Sequence, residues 1–280
     1  MPFTTTSEFV ELRPDVKLHV VRSSPATEKL TTGTTNVPTV VFLHFWGGSS
    51  STWSPVNSLV ASQYPTLALD FRGWGQSTGP EDKNAYSIAY LADDVEAVIL
   101  HYHLQNIIIV GHSMGGKVAQ AVAGRGSVVG LRGVVLIAPA PPTPFALPPE
   151  MREQQIHAYE AAESAEFVTR NVLSAGSLSD ETVSATVGDM LRGNQWARPA
   201  WPAHVMAEDI LELAKRINVP VSVVVADKDN VEPLARVEAE VCTNIKGATV
   251  KVLPDSGHLL PLEVPKLVAD HLAEFIQRLE

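Results

Sequence analysis

From residue 39 onward, short and continuously apolar runs alternate with longer stretches whose apolar positions recur at helical spacing. The runs are TVVFLHF (39–45), TLALDF (66–71), NIIIVG (106–111), GVVLIAPA (133–140), VPVSVVVAD (219–227) and ATVKVLPD (248–255). They do not alternate apolar with polar, which is how strands read when both faces of a parallel sheet are covered by helices. Helical periodicity appears around 52–63 and at 87–103, 115–124 and 264–279. Strand–helix alternation predicts the α/β class: a doubly wound, mostly parallel sheet. Ligands of such sheets bind beyond the carboxyl ends of the strands.

The rhythm breaks between 141 and 206. This segment opens with PPTPFALPPE, five prolines in ten residues, which blocks regular structure until Pro149 can start a helix. Helical patterns follow near 149–163, 165–174 and 179–192, and the segment closes with GNQWARPAWPAH. The pattern predicts a helical cap, or lid, at 141–206, inserted into a core domain formed by 1–140 and 207–280. There are no internal repeats and no low-complexity tracts.

A chain of 280 residues is ample for one sizeable core. With 45% hydrophobic and 19% charged residues the composition is that of an ordinary globular protein. A formal charge of −10, without a basic stripe, argues against nucleic acid or an anionic membrane as partner. The single cysteine, Cys242, allows no intramolecular disulfide and reads as a buried helix residue. The start MPFTTTSEFVELRPD lacks the basic and apolar regions of a signal peptide, and no apolar stretch approaches 18 residues. A cytoplasmic protein, monomer or homodimer, acting on a small molecule is therefore expected.

The strongest chemical signal is IIIVGHSMGGKVAQAVA. It holds G-x-S-x-G, Gly111 to Gly115, between a predicted strand and a predicted helix. That setting fits a nucleophile elbow, a turn too tight for side chains at its flanks that lifts the Ser113 hydroxyl clear at a helix start. A serine nucleophile needs a base, and the base needs an orienting acid. Of nine histidines, His258 in VLPDSGHLLPLEVP follows the last strand and precedes the last helix. His101 and His103 face different ways on a helix, and no His/Glu cluster suits a metal, so neither metal nor cofactor is expected. The acid belongs to VVVADKDNVEP, where spacing leaves Asp227, Asp229 and Glu232 open. Gly73, Gly75 and Gly79 loosely match a dinucleotide fingerprint, but they follow an internal strand and do not open a helix, so a nicotinamide oxidoreductase is disfavoured.

Serine, acid and histidine in this order resemble the α/β-hydrolase superfamily, its serine-nucleophile esterase and cofactor-free haloperoxidase-like branch. The resemblance covers nearly the whole chain. DFRGWGQS (70–77) resembles the family loop D-x-R-G-x-G-x-S, and GHLLPLEVP its histidine turn. The family acid loop, G-x-x-D-x-x-x-P, reads here from Ala226 to Pro233 and points to Asp229, with alanine in place of the glycine. The resemblance implies a Ser113–His258–Asp229 triad. It also implies an oxyanion hole made by the backbone N–H groups of Met114 and of the loop HFWGGSSS, where Trp46 is the expected donor and Phe45 the fallback. Phe45 stands where the family has glycine, the sharpest departure in the sequence.

Phe45, Phe145, Trp196 and Trp201, with Trp46 and Met190, are candidates to line a pocket between cap and core. A pocket of that kind implies a largely apolar substrate. Hydrolysis of an ester, lactone or thioester fits best. A lyase, a carbon–carbon hydrolase, a perhydrolase, or a small-molecule receptor with residual hydrolase activity could use the same residues.

Overall fold

Apart from the last, the apolar runs from residue 39 onward are strands buried on both faces, and their side chains divide between two layers. In β5 (Ile107–His112), Ile107 and Ile109 enter one buried cluster while Ile108 and Val110 enter the other. Strands β3 (Thr39–Leu43), β4 (Thr66–Leu69), β6 (Leu131–Ile137) and β7 (Val221–Ala226) divide their residues between the same two clusters. These strands and β8 (Thr249–Leu253) run parallel, and β1 (Phe3–Arg13) and β2 (Val16–Pro25) extend the sheet antiparallel. The order is β1-β2-β4-β3-β5-β6-β7-β8. This computed structural model describes residues 2–26, 37–176 and 178–279.

The helices are α1 (Ser54–Val60), α2 (Ile88–His101), α3 (Met114–Arg125), α4 (Pro149–Ile156), α5 (Ala162–Val168), α6 (Asp180–Arg192), α7 (Ala197–Ala203), α8 (Leu211–Ala214), α9 (Leu234–Glu240), α10 (Leu260–Glu263) and α11 (Pro265–Gln277). α1 and α11 bury Val56, Val60, Val268, Leu272 and Phe275 in one layer; α2 and α3 bury Leu91, Val95, Val118 and Val122 in the other. That is the doubly wound α/β arrangement. Chain direction reverses between β3, which leads to β4 on one side, and β5, which leads to β6 on the other. The crevice at that switch point is where such sheets place a ligand.

Two elements differ from the sequence pattern. The β1–β2 hairpin carries no continuous apolar run. β1 is an edge strand that fully buries only Val10, while β2 buries Val16, Leu18 and Val20 on alternate positions. A strand solvated on one face reads as polar alternation, a weaker signal than a double-sided run. β8 is the opposite edge and leaves Val250 and Val252 exposed despite its apolar sequence.

Between β6 and β7 the chain leaves the sheet for α4 to α8. Phe145 N–H donates to Met206 O at 3.1 Å and Ile210 N–H donates to Pro142 O at 2.9 Å, so the entry and exit of this insertion are tied together. The pattern at 165–174 resolves into α5 followed by a wider π turn, Thr169–Leu173. Among the described residues no helix is long and apolar enough to cross a membrane.

Candidate active site

Ser113 follows β5 with φ +54° and ψ −114°, a region disfavoured for a side-chain-bearing residue. Its neighbours make the turn possible by lacking Cβ atoms. A Cβ on Gly111 would sit 2.3 Å from Gly115 O, and one on Gly115 would sit 2.5 Å from Leu43 O. The turn is then locked. Ser113 N–H donates to Ile137 O at 3.0 Å, and Ser113 O accepts from Gly116, Lys117 and Ala140 N–H. Strain at one residue is held by hydrogen bonds to β6, the loop after it and α3, which is how an elbow keeps its shape.

His258 lies beyond β8, with its Nδ1 2.8 Å from Asp229 Oδ2 in the loop after β7. Asp229 Oδ1 accepts from Val231 and Glu232 N–H at 2.8 and 3.0 Å. Burial alone would raise the Asp229 pKa, but the imidazole and those two N–H groups outweigh it and hold the carboxyl below its usual range. Burial would likewise depress His258, and Asp229 reverses this, raising the imidazole above its usual value. Asp227, by contrast, is an exposed turn residue. The geometry therefore pairs His258 with Asp229.

Ser113 and His258 open into one cavity of about 500 Å³ beneath the insertion. Phe45, Trp46, Phe145 and Trp201 line it, as do Tyr159, Leu173 and Met206. Trp196 is not part of that wall: it precedes α7, and its N–H is held by Asn194 Oδ1. Met190 is also elsewhere, buried under Gly47 and Thr169.

The loop after β3 shows how phenylalanine replaces the glycine of the family pattern. The Phe45 ring lies against Gly48, where a Cβ would stand 2.7 Å from it, and 5.2 Å from the His112 ring. The missing side chain at Gly48 makes room for the added one at Phe45. Gly48 N–H donates to Phe45 O at 3.0 Å, and Gly47 has φ +96°. The Trp46 ring packs 4.1 Å from Tyr159, and its Nε1–H donates to Arg198 O at 2.9 Å. The insertion thus grips the loop by its tryptophan. Met114 follows Ser113 at the first position of α3.

Several supporting groups were not legible from spacing. His112, the variable residue of the elbow, donates from Nε2 to His258 O at 2.7 Å, and burial pushes its pKa down to about 3. His258 N–H donates to Leu173 O of the insertion at 2.7 Å. Glu263 accepts from Gly257 and Leu259 N–H through Oε1 and from Ala175 N–H through Oε2. In the DFRGWGQS loop, Asp70 accepts from Ser50 and Gln76 N–H, and Arg72 forms a two-pronged ion pair with Asp94 at 2.6 Å. That loop is scaffolding for the segment after β3.

A family model described as "Alpha/beta hydrolase family" matches residues 40–271. A non-heme chloroperoxidase of Kitasatospora aureofaciens is 26% identical over 261 residues, 85% of this chain and 92% of the relative. Among solved structures, an esterase from Exiguobacterium antarcticum superposes with a TM-score of 0.84 at 18% identity, covering 97% of this chain and 100% of that one. A bromoperoxidase from Bacillus anthracis gives 0.83 at 17%, covering 98% and 100%. At those identities the structural likeness speaks for the fold alone, and the family model carries the rest. By that match, which spans both sheet and insertion, the chain belongs to the alpha/beta hydrolase family.

Proposed function

We propose that the protein is a serine hydrolase cleaving a carboxylic ester-type bond, in an ester, lactone or thioester, of a small and largely apolar molecule. The observation that carries this reading is the shared cavity. Ser113 on its strained elbow and His258, bound to Asp229, open into the same apolar space. His258 Nε2 takes the Ser113 proton as Oγ attacks the carbonyl carbon. Asp229 fixes the imidazole tautomer and stabilises the imidazolium. The tetrahedral intermediate collapses, the leaving oxygen or sulfur takes the proton back from His258, and an acyl-enzyme remains. Water then attacks the acyl-enzyme with its proton passing to His258, and Ser113 is released.

The oxyanion rests on the N–H groups of Met114 and Trp46. Losing one such donor typically costs about 3–4 kcal/mol of transition-state stabilisation. Residues 141–206 serve as the lid that supplies the apolar wall and excludes water.

Short p-nitrophenyl esters should be turned over many times, and Ser113→Ala should abolish this together with labelling by a fluorophosphonate. Labelling that survives Ser113→Ala would sink the assignment. One burst leaving a modified His258 would instead favour the receptor. A second reading is supported by the chloroperoxidase relative: hydrogen peroxide, rather than water, takes the acyl group and leaves as a peracid. Peracid formation from acetate and peroxide faster than ester hydrolysis would favour that reading.

A further inference from the structure

One wall of the cavity is polar in a way the hydrolytic chemistry does not use. Glu232 follows Asp229 by three residues, and Arg236 lies one turn further on, in α9. The guanidinium is held from three directions. Its Nε donates to Glu240 Oε1 at 3.3 Å, its Cζ stands 3.9 Å from the Phe145 ring centre, and Nη1 lies 3.3 Å from Glu232 Oε2. Glu240 is itself fixed by the Thr143 hydroxyl.

This support leaves specific atoms unserved. Arg236 Nη2, Glu232 Oε2 and Gln155 Oε1 are buried without a hydrogen-bond partner among the described residues. The Nη1–Oε2 approach is within ion-pair reach but not aligned as a hydrogen bond. Glu232 is 6% exposed, and all three residues line the cavity. Buried polar atoms are rarely left unpaired, because their lost hydration is then uncompensated. Three of them face one cavity, the Arg236 donor beside the Glu232 acceptor and Gln155 lining the same space, and together they form a receptor for a polar group on the ligand.

The chemistry of the three atoms selects the group. A hydroxyl accepts one hydrogen bond and donates another, so it serves Nη2 and one of the two oxygens together. A carboxylate satisfies Nη2 only and brings its charge against the Glu232 carboxyl, whose pKa burial pushes up to about 7. An alkyl group satisfies none of them.

We propose that Arg236, Glu232 and Gln155 form a specificity subsite selecting substrates that carry an alcohol or phenol hydroxyl on an apolar body. Its hydroxyl accepts from Arg236 Nη2 and donates to Glu232 Oε2 or Gln155 Oε1. The inference deepens the hydrolase reading and rests on it.

The test uses esters in matched pairs, hydroxyl against methyl, varied in position along both acyl and alcohol parts, assayed at pH 8. At least one pair should show a kcat/KM preference for the hydroxyl of about 10- to 100-fold. That ratio should fall towards one in Arg236→Met and in the double variant Glu232→Leu with Gln155→Leu, through loss with the hydroxylated member. Ratios near one for every pair in the wild type, or equal losses with both members in the variants, would overturn the subsite. A preference for carboxylated over hydroxylated esters would overturn it in favour of an anion site.

If no ester is turned over, the hydrolase reading fails separately. The subsite is then tested by binding matched hydroxy- and methyl-substituted ketones, read through the fluorescence of Trp46 and Trp201. Equal affinities for both ketones would overturn it there too.

Discussion

His258 is held at three points: Asp229 at its Nδ1, Leu173 at its backbone N–H and His112 at its carbonyl. Two consequences follow at this scale. In the proposed mechanism His258 works deprotonated as the base, and its pKa is raised above the usual imidazole value of 6.5, with burial opposing and Asp229 prevailing. The acid limb of kcat/KM for esters should therefore have its midpoint above 6.5 and be lost as pH falls through it. Asp229→Asn should move that limb down and cut turnover about 1,000-fold or more, while Asp227→Asn leaves both within a few-fold. The opposite ranking would remove Asp229 from the triad. Ser113 and His258 could be proposed from the sequence because each sits in a strongly constrained motif. Among the carboxylates, spacing could not choose between Asp227 and Asp229, since the choice depends on which side chain turns back over the sheet. His112 was unreadable for a similar reason: its partner is a backbone carbonyl 146 residues away.

At the scale of elements, the insertion and the histidine loop are fastened together. Glu263, in α10, accepts N–H groups from both sides, Gly257 and Leu259 of the loop and Ala175 of the insertion. Gly257 packs so tightly there that a Cβ would stand 2.6 Å from Ala175 N. Removing an acceptor shared by three backbone donors should cost about 1–3 kcal/mol. Glu263→Ala should lower the unfolding free energy by that amount, read by denaturant titration. It should also lower kcat more than it raises KM, because the base is displaced while the cavity wall is kept. An unchanged kcat would mean that His258 is positioned without this link. α4, α6 and parts of α5 fall inside the predicted helical patterns, but the pattern at 149–163 breaks after Ile156, and neither α7 nor the π turn Thr169–Leu173 was read from the sequence. A widened turn leaves no mark in the spacing of apolar residues.

Across the whole molecule, Lys117 joins core to insertion. It lies on α3, 1% exposed, and its Nζ donates to Met206 O at 3.1 Å and Thr143 O at 3.4 Å, one carbonyl at each end of the insertion. Burial lowers its pKa from 10.5 to about 8, against the opposing pull of Glu208, Asp209 and Glu232. Between those values the unfolded chain binds more protons than the folded one, so stability rises with pH through this window. The unfolding free energy of the wild type minus that of Lys117→Met should grow by up to about 3 kcal/mol from pH 8 to 10.5. A difference flat with pH would place the ammonium in water.

The sequence by itself determined the parallel sheet, and it pointed to the elbow, the histidine turn and an insertion. Each is written locally, as double-sided apolar runs, as glycines flanking Ser113 and as prolines that interrupt the rhythm. The tertiary structure alone decided the antiparallel hairpin at the edge, the partner of His258, the exchange of bulk between Phe45 and Gly48, and the pairing of Glu232 with Arg236 on the cavity. These depend on contacts between residues distant in sequence or on the direction of a side chain in a loop, and neither quantity has a period that a linear pattern can display.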